Sequence, residues 1–130
     1  MYDKSKVTID IRITSFVKNV FKVVRSLQVN CYNKNIIDQL LKSSTSIGAN
    51  YYEGSTAGSS RDFINKLNIA KKEAAESKYW LDLLSSIEPP FSSQLSLLSQ
   101  ESHEILLICG AIVRNTKIKI EQTKNTKLSN

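Results

Sequence analysis

Both prolines of this 130-residue chain stand side by side at Pro89-Pro90, and its four glycines fall at 48, 54, 58 and 110. Punctuation this sparse leaves long stretches without a turn signal, and helices account for them most economically. The apolar residues agree. In the first stretch Ile9, Ile13, Phe16, Val20, Val23 and Leu27 recur at alternating steps of four and three, with Val17 and Val24 widening the stripe. That spacing predicts an amphipathic helix over about residues 8–31. Its β-branched content lowers helix propensity, so tertiary packing has to hold it. The polar cluster from Asn30 to Asn35 reads as the first connection.

A second helix, about 35–54, places Ile36, Ile37, Leu40, Leu41, Ile47 and Tyr51 at helical spacing, with the small Ser44 and Gly48 on the same side. Gly54 is read as its left-handed cap. Ser59, with Asp62 three residues on, resembles a capping box for a third helix over about 60–87, striped by Phe63, Leu67, Ala70, Ala74, Leu81 and Leu84. The proline pair stops it. Ser92-Ser93 can cap a fourth helix over about 93–121, carrying Leu95, Leu98, Ile105, Cys109 and Ile112 and followed by a flexible basic tail. Four such stripes joined by short loops predict an all-α fold, an antiparallel up-down four-helix bundle.

Composition sets bounds. With 41% hydrophobic and 23% charged residues over 130 positions, residues 1–130 read as one folded domain. The basic start from Met1 to Lys6 is followed by no apolar signal core, and the run Ile105 to Val113 is far short of the roughly 20 residues that span a bilayer. A cytoplasmic protein without membrane contact is expected. Cys31 and Cys109 have no metal or redox spacing and are read as buried structural thiols.

A more specific signal lies between Gln39 and Leu84. Ser46-Ile47, then Asn50-x-x-Glu53-Gly54, then Ser60-x-x-Phe63-x-x-x-Leu67-x-Ile69-Ala70, then Lys72 to Glu76 and Tyr79-Trp80-Leu81 follow in order. This series resembles the bacterial four-helix-bundle family of the 23S rRNA intervening-sequence protein, which is related to the accessory variability determinant proteins of diversity-generating retroelements. Tyr51-Tyr52 replace a smaller Ile-Ala pair, and the 55–59 loop has no basic residue. The resemblance implies an up-down bundle assembled as a ring-like homopentamer. It also implies RNA or DNA as a partner and a reverse transcriptase as a possible one.

The residues add two observations of their own. Ile105 to Val113 is apolar all round, and Leu107, Ala111 and Ile118 point away from the core stripe, which makes them a candidate self-association patch. The net charge of +6 is concentrated: residues 9–31 hold Arg12, Lys18, Lys22 and Arg25 against Asp10, and residues 114–130 hold Arg114, Lys117, Lys119, Lys124 and Lys127 against Glu121. Lys18, Lys22 and Arg25 fall within roughly 60° of one another, opposite the apolar stripe. Helices one and four are neighbours in such a bundle, so both basic regions are expected on one side. Lys18, Lys22, Arg25, Arg114, Lys117 and Lys119 are therefore candidate phosphate contacts. Tyr51, Tyr52 and Trp80 are read as core or interhelix residues rather than base-stacking platforms.

Enzyme readings fail one by one. Gly54-Ser55-Thr56-Ala57-Gly58 follows a helix, not the strand that a nucleophile elbow needs, and lacks a P-loop lysine. His103, the single histidine, begins a zinc-protease-like pair that Leu107 interrupts. The acids Glu73, Glu76, Glu101 and Glu104 lack the second histidine of a di-iron bundle. Asn50 and Glu53 share a helix face, and the pair is expected to hydrogen-bond the turn at Gly54 and the start of helix three. The expectation is a non-enzymatic oligomeric nucleic-acid binder with no cofactor or metal. Its alternatives are a protein-interaction adaptor such as a reverse-transcriptase accessory subunit, and a purely structural oligomer.

Overall fold

The computed structural model describes residues 8–129, so the basic start from Met1 to Lys6 lies outside the described residues. Over that range the chain forms α1 (Ile9–Ser26), α2 (Lys34–Ser55), α3 (Ser60–Ile87) and α4 (Ser92–Ser129), with a 3-10 turn at Pro89–Phe91 and no strand among the described residues. Side-chain bonds mark the helix directions. Ser85 Oγ lies 3.4 Å from Ser96 Oγ, Lys78 Nζ 3.3 Å from Ser99 Oγ, and Ser102 Oγ donates to the Ala74 carbonyl at 2.6 Å. Residue numbers on α4 rise as those on α3 fall, so the two are antiparallel. Ser43 with Ser77 and Glu53 with Lys66 show the same for α2 and α3. The fold is the expected all-α four-helix bundle.

Each stripe turns inward. Ile13, Phe16 and Val20 of α1 meet Leu40 and Ile47 of α2, Ala70, Leu81 and Leu84 of α3, and Leu95 and Ile105 of α4 in one buried cluster. Burying each large side chain contributes roughly 1.5–3 kcal/mol relative to exposure. Small residues (Ala70, Ala74, Ser77) along the buried face of α3 let α2 and α4 approach closely from either side, while α1 shares thinner seams with α2 and α4. Among the described residues no helix is long and apolar enough to cross a membrane.

Four expectations need correction. The first helix stops at Ser26, not about 31, because Leu27 turns extended (ψ 144°) and the asparagines beyond it build a loop of their own. Asn30 Oδ1 accepts from the backbone N–H of Tyr32 and Asn33, and fully buried Asn33 donates to the Gln28 carbonyl and to Glu88 Oε1 at 2.7 Å. Side chains that offer the backbone such local partners compete with a helix. As a result Cys31 is exposed in a turn and not a buried thiol, whereas Cys109 is buried as expected and its thiol is pushed up to about 11 by that burial.

Gly54 does not cap α2. No described glycine has positive φ; the helix continues to Ser55, and the hydroxyls of Ser55 and Thr56 donate to the Tyr52 carbonyl. Gly54 is instead buried against α3, where an added Cβ would stand 3.0 Å from Lys66 Cβ and 3.2 Å from Leu67 Cδ1. The expected start of α3 holds, with Ser59 Oγ accepting from the Asp62 N–H at 3.2 Å. The expected tail, finally, is helical through Ser129. Val113, Ile112 and Ile120 pack with Phe63, Ile64 and Leu67, and no Gly or Pro follows to stop the helix.

Candidate nucleic-acid interface

Because the α1 stripe is buried, the opposite residues must face solvent. Lys18, Lys22 and Arg25 are all exposed, two turns of one helix apart at most, and none forms an ion pair among the described residues. Arg12 differs. Its guanidinium grips Glu101 of α4 through both Nη2 and Nε, and that partner raises its pKa still further. It ties α1 to α4 and is not an open cation.

Beside the three cations runs a groove of about 850 Å³ between α1 and α2. Ile13, Val17 and Phe21 form its α1 side, and Thr45 and Gly48 its low α2 side. Phe21 remains 41% exposed there, although a tight helix seam would cover it. Phe21 lies off the main apolar stripe, so periodicity alone does not single it out. The signal was present nonetheless: Lys18, Phe21, Lys22 and Arg25 stand at i, i+3, i+4 and i+7, an aromatic interleaved with cations on one face.

Arg114, Lys117 and Lys119 are also exposed and without ion pairs among the described residues. Near them Ser60, at the start of α3, and Thr116, Lys119, Thr123, Lys124 and Lys127 of α4 line a depression of about 390 Å³. The two basic regions do not form one patch. Arg12 sets the level at which α1 meets Glu101; Lys18 to Arg25 lie toward one end of the bundle from there, and Arg114 to Lys119 toward the other. At 1.5 Å per residue, Lys18 and Arg114 are separated along the axis by roughly 20–30 Å, and Lys22 and Lys117 by roughly 30–40 Å.

The remaining candidate residues divide in character. Asn50 Nδ2 donates to the Ser46 carbonyl at 2.8 Å and to Ser46 Oγ at 3.0 Å, so it braces α2 internally and not the turn. Glu53 does reach α3, through Lys66 Nζ at 2.8 Å, and the ammonium offsets a carboxylate placed unfavourably at a helix C-terminus. Leu107 and Ile118 are 49% and 54% exposed on one face of α4, with Ala111 partly covered between them. Tyr51 packs against the core, and burial raises its phenol pKa. Trp80 packs there too, edge-on to exposed Tyr79 at 4.9 Å, but Tyr52 is exposed, contrary to its reading as a core or interhelix residue.

Helices, register and a basic edge without ion pairs among the described residues together define a small up-down bundle with a basic helix face. The chain belongs to the 23S rRNA-intervening sequence protein family, whose model matches residues 8–110. It is also similar to a crystallised protein of unknown function from the S23 ribosomal protein family of Bacteroides thetaiotaomicron. The two are 35% identical with a TM-score of 0.71, over 82% of this chain and 98% of that one. No curated protein matches. Residues 111–129, the second half of α4, lie beyond the family match.

Proposed function

We propose that this protein is a non-enzymatic, oligomeric four-helix bundle that binds RNA or DNA through phosphate contacts. The observation that carries the reading is the row Lys18, Lys22 and Arg25, exposed on α1 and paired with no carboxylate among the described residues. Uncompensated cations at helical spacing hold counterions that a phosphate chain displaces. Arg114, Lys117 and Lys119 supply a second cationic region. Self-association is assigned to the exposed Leu107 and Ile118 with Ala111, and the homopentamer is the assembly that the family resemblance implies. The same apolar face supports the adaptor reading, in which a reverse transcriptase is the protein partner and nucleic acid is secondary.

Titration of labelled RNA and DNA over a salt series, with light scattering for mass, tests the proposal. Affinity is expected to fall steeply as salt rises. Replacing Lys18, Lys22 and Arg25 together by Gln should reduce the log–log salt slope by about 2–3, at roughly 0.7–0.9 for each lost phosphate contact. Absence of binding at low salt would overturn the nucleic-acid function, and a monomeric mass the oligomer.

A further inference from the structure

We infer that the groove between α1 and α2 receives the unpaired bases of a single strand, with Phe21 as the stacking platform and Lys18, Lys22 and Arg25 as clamps on its phosphates. The inference rests on the phosphate-binding reading above and adds the class of nucleic acid to it. Three observations converge. The groove of about 850 Å³ is apolar on its α1 side through Ile13, Val17 and Phe21. Its solvent edge carries three cations, and among the described residues no carboxylate lines it. Its α2 wall is low because Thr45 and Gly48 stand where larger side chains would fill the space; a Cβ at Gly48 would lie 3.6 Å from Ile13 Cγ2, in ordinary contact, leaving the groove open beyond it.

An occupant must therefore be anionic on one side and flat or apolar on the other. A duplex offers phosphates and base edges, but its base faces are stacked away from any wall. An unpaired strand offers both, and a base laid on an aromatic ring contributes about 1–3 kcal/mol whatever its identity. Lys18 to Arg25 spans roughly 10 Å along the helix, so the cations follow a short run of backbone while the bases turn inward to Phe21.

The test compares three labelled probes of equal strand length at one low salt concentration: oligothymidylate, an abasic strand with the same phosphates, and a blunt duplex. Wild type should prefer oligothymidylate to the abasic strand by about 5- to 150-fold for each stacked base. Phe21→Ala should bring oligothymidylate down to the abasic level without changing abasic or duplex affinity, and Phe21→Trp should keep the preference. Because Phe21 is partly exposed, thermal unfolding of each variant separates loss of binding from loss of fold. Equal wild-type affinity for oligothymidylate and the abasic strand would overturn the base-stacking site and leave phosphate binding standing. No binding of any probe would overturn both readings. Tighter binding of a polyglutamate peptide than of oligothymidylate would also overturn the inference and assign the groove to an acidic protein segment.

Discussion

Glycines at two helical positions respond to opposite demands. Within a helix, Ala is preferred to Gly by about 1 kcal/mol, and at Gly48 nothing opposes that gain, since a Cβ there meets Ile13 Cγ2 at 3.6 Å. Gly48→Ala should raise stability by about 0.5–1 kcal/mol in a denaturant titration. At Gly54 the new methyl would stand 3.0 Å from Lys66 Cβ, an atom fixed to the α3 backbone, so the helices have to separate. Overpacking of this kind costs typically about 1–3 kcal/mol, and Gly54→Ala should be net destabilising in the same measurement. The thiols diverge as well: brief alkylation of the native protein should modify exposed Cys31 and spare Cys109, with peptide mass analysis reading the site. Neither Gly54 nor Cys31 is legible from sequence. A glycine near a helix end looks like a cap unless the neighbouring helix is known, and Cys31 looked buried only while the first helix was extended through it.

At the scale of the helix, α3 and α4 are joined by a polar clasp that periodicity does not reveal. Asp82 accepts from the buried Ser99 hydroxyl and from Lys78 Nζ at 2.9 Å, with Lys78 also reaching Ser99. Burial alone would push the Asp82 carboxyl up, but the bonds from Ser99 and Lys78 outweigh it and hold the group below its ordinary value of 3.8. A carboxyl lowered on folding contributes stability that is fully present above the unfolded value and lost as pH falls through the folded one. Acid unfolding should therefore begin below about pH 4 with a contribution from this clasp, and Ser99→Ala should weaken that dependence in melts recorded from pH 5 to 2. The apolar stripes themselves were legible throughout: Ile9, Ile13, Phe16, Val20 and Val23 are all buried on α1, as their spacing requires. What remained hidden was the Asn30–Asn33 loop, whose bonds depend on which side chain turns toward which backbone group, and Phe21, which belongs to a groove between two helices and to no single pattern.

For the molecule as a whole, the end of α4 beyond Ile120 is the least integrated part. From Glu121 to Leu128 every side chain is exposed, and the helix there passes beyond the start of α3. Truncation after Ile120 should leave the melting temperature within about 2 °C of the full chain, because little apolar surface is lost. The lengthwise separation of Lys18, Lys22 and Arg25 from Arg114, Lys117 and Lys119 has a consequence for reach. An oligonucleotide shorter than roughly 30 Å when extended can engage one pole at a time, so under the proposed function one chain would take two short strands. A longer strand could lie along the bundle and satisfy both poles at once. Stoichiometry would then depend on ligand length, falling toward one strand per chain once a single strand spans the barrel of helices from end to end.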